Sequence, residues 1–399
     1  MYHVHLIDAI PEQEIEKLQG EYFKIIDDLP AEGIVIRSTK VKDEWLTPDL
    51  LAISRAGVGV NTINVEKASE NGTIVMNTPG VNANAVKELV LCCLLLSSRP
   101  IIEASRMVQT LTGPNILEQA ENKRSAYVGR ELQGKTIGLL GLGAIGTKVA
   151  LSCYSLGMDV LGYSIRDAQL DYVRQADLET VLSTSDYIVV MLPLTEDTKG
   201  LIDQANIEKM KKDAVLINVG RSEIVDKYAV MQALEKQHLA KYLTDFPEEE
   251  FLENDRILML PHLGGSTQEA LADSGRLAVE ALKDYLLFGT VREAVNYPSA
   301  RMFFQAPFRF TIFYQKKTNI LAEIFSLLNE NELAIADISR NHKNELAIAD
   351  ISRNHKNEHV YILIDIDSTD FEQLNQVKQQ LEKISGVRKV RLLKKPERP

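Results

Sequence analysis

TIGLLGLGAIGTKVA, residues 136–150, decides the fold. An apolar run ends in Gly141-x-Gly143-x-x-Gly146 and passes at once into a helix-forming segment. Gly141 permits the tight turn, Gly143 lets backbone approach a pyrophosphate, and Gly146 lets helix and strand pack closely. The amides of Ala144 and Ile145 would then point their dipoles at the phosphates. Three glycines at this spacing are weak evidence alone; the strand before them and the helix after them supply the context that makes a dinucleotide cradle.

Working outward, the same alternation continues. MDVLGYS (158–164), YIVVML (187–192), AVLINVG (214–220), KYLTDF (241–246) and RILMLP (256–261) read as strands separated by helical stretches. With TIGLLG they make six, a doubly wound parallel sheet. Upstream, VHLID (4–8), GIVIRS (33–38), LLAIS (50–54) and TIVMN (73–77) form a second β/α series, expected to be flavodoxin-like. NANAVKELVLCCLLLSSR (82–99) and TQEALADSGRLAVEALKDYLLFG (267–289) read as helices linking two domains. The expected organisation is α/β throughout. A split substrate domain takes 1–92 plus 272–298, a dinucleotide-binding domain 93–271, a linker 299–307, and a small unit 308–399.

That last unit runs strand, helix, strand, helix, strand, with one further strand expected after the first helix, a ferredoxin-like β-α-β-β-α-β order. Inside it NELAIADISRNHK (331–343) recurs without change at 344–356. Structural repeats are longer and diverged, so this reads as a recent or artefactual duplication with no functional weight. One copy can serve as the second strand while the other bulges out as a loop.

Of the 399 residues, 45% are hydrophobic and 25% charged, the balance of a globular protein. The net charge of -11 opposes general affinity for nucleic acid or an anionic membrane, so an anionic substrate needs a local positive site. Cys92, Cys93 and Cys153 read as buried small apolar residues of a reducing compartment. The N-terminus shows no signal peptide, the longest apolar run is far short of a bilayer span, and the expected location is cytoplasmic. No metal site is read.

LGYSIRD (161–167) puts Ser164 where an acidic ribose ligand is expected, 23 residues after Gly141. A serine bonds a ribose hydroxyl but cannot repel a 2′-phosphate, and Arg166 could contact one. Asp167 could swing back to the ribose. NAD is the first reading and NADP the second. Leu192, ending YIVVML, is counted among the cofactor neighbours.

NVGRSEIVD (218–226), TDFPEEEF (244–251) and PHLGGST (261–267) follow strands on one side of the sheet, where such folds bind ligands. They offer a guanidinium, a carboxylate and an imidazole. Oxidising a 2-hydroxy acid needs these functions. Arg221 would hold the substrate carboxylate and polarise the C2 oxygen. His262 would take the hydroxyl proton, with a carboxylate behind it to orient the ring.

These stretches, with RAGVGVNTI (55–63) and MNTPGVNANAVKEL (76–89), closely resemble the D-2-hydroxyacid dehydrogenases, and the C-terminal unit looks like an ACT domain. The resemblance implies that Arg221 orients substrate, His262 is the acid/base, and Glu250 completes the relay, with Glu249 the fallback. It implies cofactor contacts at Val219, Gly220, Asp245, His262, Gly264 and Gly265. Backbone at Val58 and Gly59 would meet the substrate carboxylate, and Arg37 with Lys40 would face a phosphate on the hydroxy acid. Hinges are expected near 92–100 and 267–275, and the molecule is expected to be a homodimer or homotetramer. ACT domains of this family carry a Pro-Gly turn where an amino acid effector binds. QKKTN (315–319) stands there instead, which makes effector binding doubtful and subunit pairing the main expected role.

Overall fold

A computed structural model describes residues 1–8, 10–166, 168–316, 319–341 and 359–396. The chain divides into two compact units, Met1–Val81 with Leu271–Pro399, and Asn82–Ala270.

In the first unit, strands β1 (Tyr2–Leu6), β2 (Phe23–Ile26), β3 (Gly33–Ile36), β4 (Ala52–Arg55) and β5 (Ile74–Met76) form a parallel sheet. Their order, β2-β1-β3-β4-β5, is the flavodoxin-like winding expected. Side chains alternate between its faces, as the pleat requires. Val35, Ala52, Ile74 and Met76 enter one apolar cluster, and Ile34, Ile36, Ile53 and Val75 enter another. Sequence reading missed β2, whose FKII is short and sits at the sheet edge.

The second unit carries β6 (Thr136–Leu140), β7 (Asp159–Tyr163), β8 (Arg174–Gln175), β9 (Tyr187–Val190), β10 (Ala214–Asn218), β11 (Leu239–Thr244) and β12 (Ile257–Met259). All pair in parallel, in the order β12-β11-β10-β9-β6-β7-β8. The winding direction reverses between β6 and β9, the position at which such sheets bind ligands. The two-residue β8 adds a seventh strand to the six expected.

Helix Ala83–Ser98 belongs wholly to this unit, because Val90, Cys93 and Leu94 pack with Ile137, Leu139 and Val149 of the sheet and its first helix. The change of unit therefore falls at Val81, not at residue 92. Cys93 and Cys153 are buried, and burial pushes both thiols up to about 12. Cys92 is exposed, contrary to expectation, since its neighbour on the helix turns the opposite face inward. Among the described residues, no helix is long and apolar enough to cross a membrane.

The C-terminal part of the first unit has β13 (Phe308–Gln315), β14 (Ile335–Asn341), β15 (His359–Ile366) and β16 (Val387–Lys394), ordered β14-β15-β13-β16 and antiparallel. With helices Ile320–Glu330 and Phe371–Leu381 this is the β-α-β-β-α-β topology, and β14 comes from the first copy of the duplicated segment. The second copy, 344–356, lies outside the described residues.

One face of this sheet packs on its own helices through Phe310, Ile312, Ile362, Ile324 and Leu374. The other, through Phe313, Tyr361 and Leu363, joins the cluster around Tyr285, Leu286 and Tyr297. The expected separate domain is thus packed into the first unit, and Ala300 and Ala306 of the expected linker are buried. Polar groups complete the join at the end of the long helix Gln268–Phe288. A helix leaves its last four carbonyls without internal partners. Here Arg391 donates to the carbonyls of Tyr285 and Leu286 at 3.1 and 2.7 Å, and Arg309 to that of Phe288 at 2.8 Å. Tyr361 Oη donates to the next carbonyl, Gly289, at 2.6 Å. Arg309 also forms a fully buried pair with Asp365.

Candidate active site

The glycine cradle forms as the motif demands. Gly141 adopts φ 108° between the end of β6 and helix Ala144–Ser155. A side chain on Gly146 would run into the Gly141 carbonyl, so strand and helix touch only because that position is bare. A Cβ on Gly143 would meet nothing within 4 Å, which leaves open space over the helix N-terminus. No side chain caps that terminus, so its amide dipoles face the space. These features fit a dinucleotide pyrophosphate.

Leu192 lies between the cradle and the next loop. A Cβ on Gly141 would sit 3.4 Å from the Leu192 side chain, and one on Gly220 would sit 2.9 Å from its carbonyl. Ser164 follows β7. Its carbonyl accepts from Gln175 Nε2 at 3.0 Å, as does that of Arg166 at 3.1 Å, so Gln175 braces the loop from the edge strand. Sequence reading had no signal for this brace. Asp167 lies outside the described residues.

The loops that carry Arg221, Asp245 and His262 leave β10, β11 and β12, adjacent parallel strands, at the same end of the sheet. Pairing continues past the strand ends. Val219 N donates to the Val190 carbonyl at 3.1 Å, Asp245 N to Asn218 at 3.0 Å, and Leu260 N to Thr244 at 2.8 Å. The loops are therefore fixed extensions of the sheet.

Asn218 is fully buried and shapes the first loop. Its side chain accepts from Gly220 N at 3.1 Å and donates to the Arg221 carbonyl at 2.9 Å. This Asx-type brace was missed; an asparagine ending a core strand was the available signal. The Arg221 guanidinium donates to the Gly220 carbonyl at 2.6 Å.

Asp245 is 2% exposed and organises the last loop. Its carbonyl accepts from His262 N at 3.0 Å, and its carboxylate accepts from Leu263 N and Gly264 N at 2.7 and 2.8 Å. Burial pushes the Asp245 carboxyl up, against the pull of those two amides and of His262. A Cβ on Gly264 would come 3.0 Å from the Asp245 carboxylate, so the close approach needs glycine. Gly265 abuts the Asn82 side chain. His262 itself is exposed, at φ 58°, with the edge of its ring against Phe246 at 5.1 Å between centroids.

The expected pairing of Glu250 with His262 is not made. Glu250 lies on the turn Glu249–Phe251, with Oε1 2.7 Å from Lys227 Nζ and accepting from Tyr228 Oη at 3.4 Å. Lys227 Nζ also reaches Glu248 at 3.3 Å. The Lys227 ammonium holds the Glu250 carboxyl below the usual range, and Glu250 in turn raises Lys227. The fallback residue, Glu249, is exposed on the same turn.

In the first unit, Arg37 and Lys40 follow β3 and Val58 and Gly59 follow β4. The Asp8 carboxylate gathers the backbone amides of Arg37, Ser38 and Thr39 at 2.6, 2.8 and 3.2 Å. Partial burial would raise the Asp8 carboxyl, but these amides and the Thr39 hydroxyl outweigh it and hold it below the ordinary value. Arg55 Nε donates to the Arg37 carbonyl at 3.0 Å, and Asn77 donates to the Val58 carbonyl at 2.6 Å. Both loops are thus anchored from behind.

A doubly wound sheet with a glycine cradle at its reversal, and arginine, carboxylate and histidine loops beyond the neighbouring strands, defines a dinucleotide-binding α/β protein with a reactive end. The chain belongs to the D-isomer specific 2-hydroxyacid dehydrogenases, whose NAD binding domain matches residues 91–264. It is 35% identical to the D-3-phosphoglycerate dehydrogenase of Archaeoglobus fulgidus, over 69% of this chain and 54% of that protein. It is 31% identical to the hydroxypyruvate reductase of Thermotoga maritima, over 70% of this chain and 97% of that protein. The D-mandelate dehydrogenase of Rhodotorula graminis shares the fold, with TM-score 0.62 and 20% identity, over 74% of this chain and 97% of that one. The match spans 54% of the Archaeoglobus enzyme and 60% of its Bacillus subtilis counterpart.

Proposed function

We propose that the protein interconverts 3-phosphoglycerate and 3-phosphohydroxypyruvate with NAD. The observation that carries this is the set of loops after β10, β11 and β12, which present Arg221, Asp245 and His262 from adjacent strands beside the glycine cradle. The bound nicotinamide would accept or return the C2 hydride. Gly141, Gly143, Ala144, Ile145 and Gly146 would hold the pyrophosphate and Ser164 the ribose. Leu192, Val219, Gly220, Asp245, His262, Gly264 and Gly265 would line the rest of the cofactor. Arg221 fixes the substrate carboxylate and draws charge from the C2 oxygen. His262 removes the hydroxyl proton in oxidation and returns it in reduction, with Glu250 as its carboxylate. On this reading Val58 and Gly59 amides take the substrate carboxylate and Arg37 and Lys40 its phosphate, the local positive charge that an acidic chain requires.

A second reading, an NADPH-dependent hydroxypyruvate or glyoxylate reductase, is favoured by Ser164 with exposed Arg166 and by the near full-length match to the Thermotoga reductase. A cytoplasmic homodimer or homotetramer belongs to the proposal. Helices Ile101–Gln109 and Ile116–Lys123 bury no residue and expose Ile101, Val108 and Leu117, apolar side chains that a second copy could cover. The ferredoxin-like C-terminal sheet is compatible with an ACT-like unit and would serve subunit pairing.

The test is a steady-state assay of reduced-nicotinamide absorbance with 3-phosphohydroxypyruvate, hydroxypyruvate and glyoxylate, each with NADH and NADPH. Fastest turnover of the phosphorylated substrate with NADH is expected. Preference for an unphosphorylated substrate with NADPH establishes the second reading. No turnover with any pair, cofactor binding being intact, means a dinucleotide sensor.

A further inference from the structure

We infer that Lys227 is a positioning residue for the acid/base pair: it grips Glu250 by one oxygen and sets the pH range over which His262 works. The inference rests on the function proposed above.

Lys227 is the first residue of helix Lys227–Glu235. A cation there faces the positive end of the helix dipole, a locally unfavourable choice. What compensates it lies across the loop. Glu250 is 2.7 Å away and Glu248 3.3 Å, so one ammonium serves two carboxylates. Both contacts to Glu250, from Lys227 and from Tyr228, fall on Oε1. Neither of these contacts falls on Oε2, the oxygen we assign to an imidazole N–H.

The electrostatic consequence has a sign. When His262 takes the substrate proton it becomes a cation, and an adjacent carboxylate stabilises that cation. Lys227 neutralises part of the Glu250 charge and adds a repelling charge of its own. The groups around Glu250 are Lys227 and Tyr228 from the helix and Glu248 through Lys227, while His262 has Asp245 behind its backbone and Phe246 against its ring. Removing Lys227 leaves only acidic or neutral groups in that set. The imidazolium is then favoured up to higher pH.

The experiment records pH profiles of kcat/KM in both directions for the wild type, Lys227→Met and Lys227→Arg, with thermal unfolding to confirm folding. Oxidation needs the neutral imidazole and rises with pH, while reduction needs the imidazolium and falls with pH. In Lys227→Met both limbs move upward together by roughly one pH unit, and Lys227→Arg keeps them near the wild-type position. A crystal structure of Lys227→Met shows the Glu250 carboxylate released from its present site. Unmoved limbs in a folded Lys227→Met, or a loss equal at every pH, overturn the inference while the proposed function stands. Should Lys227→Met not fold, Lys227→Gln carries the same test. A wild type without turnover overturns both.

Discussion

His262 donates its backbone N–H to the carbonyl of Asp245, while the Asp245 carboxylate takes the next two amides, those of Leu263 and Gly264. Three consecutive donors thus converge on one buried residue, and the left-handed backbone of His262 is held by it. Such a conformation is uncommon outside glycine and persists where the surroundings impose it. Asp245→Ala removes the acceptor for two amides and is expected to cost about 1–3 kcal/mol in urea unfolding. The kcat is expected to fall by on the order of 10²-fold, because the imidazole loses its fixed position. Asp245→Asn, which keeps one acceptor oxygen, should fall between.

His262→Ala is expected to lower kcat by about 10²–10⁴-fold, the usual worth of a positioned proton acceptor. The affinity for NADH, read by fluorescence titration, should change by less than about threefold, or roughly 0.7 kcal/mol. A comparable loss of cofactor binding would show that His262 supports the fold of the site and not the proton step.

Asp8 gives a pH prediction. Its folded carboxyl is held low by three amides and the Thr39 hydroxyl. A depressed carboxylate contributes stability above its unfolded pKa and loses it as pH falls through the folded one. Asp8→Asn should therefore destabilise at neutral pH by roughly 1 kcal/mol, reduced from the value of a charged hydrogen bond because the group is partly exposed. Unfolding curves of variant and wild type should converge as pH drops below about 4. A gap that persists in acid would assign the loss to packing.

Asp365 and Arg309 are fully buried, and the guanidinium also serves the Phe288, Met302 and Phe303 carbonyls. Asp365→Ala strands that cation and is expected to cost about 3–5 kcal/mol. Because this sheet shares a core with the first unit, one cooperative transition should move, and not a separate C-terminal one.

Ser164→Asp should shift the ratio of kcat/KM for NADH over NADPH upward by on the order of tenfold, about 1.4 kcal/mol, since a carboxylate repels a 2′-phosphate. Arg166→Ala should move the ratio the same way if that side chain reads the phosphate. An unchanged ratio in both would place cofactor choice elsewhere.

Much of this was legible in the sequence because its causes are local. The glycine cradle requires three bare positions in one short turn, and strand ends announce the loops that carry Arg221 and His262. What was hidden depends on residues far apart in the chain. Lys227 lies 23 positions before Glu250, and nothing in DKYAV or PEEEF announces that they meet. Gln175 belongs to a two-residue strand, too short to show a period. FRFTIFYQ and VRKVRLL read as strands, and nothing in them shows which way their arginines point. In the fold, Arg309 and Arg391 point inward at a helix end.

That helix end also bears on the order in which the protein can be completed during synthesis. The Tyr285 carbonyl already has the Gly289 amide at 3.0 Å, but that of Leu286 waits for Arg391, 105 positions later. At ribosomal rates the gap is roughly 5–20 s. Throughout it, the emerging chain has a first sheet and a long helix whose terminus is unfinished. The nucleotide-binding unit, Asn82–Ala270, is one continuous stretch of chain and can mature before the first unit, which is completed only by Leu271–Pro399.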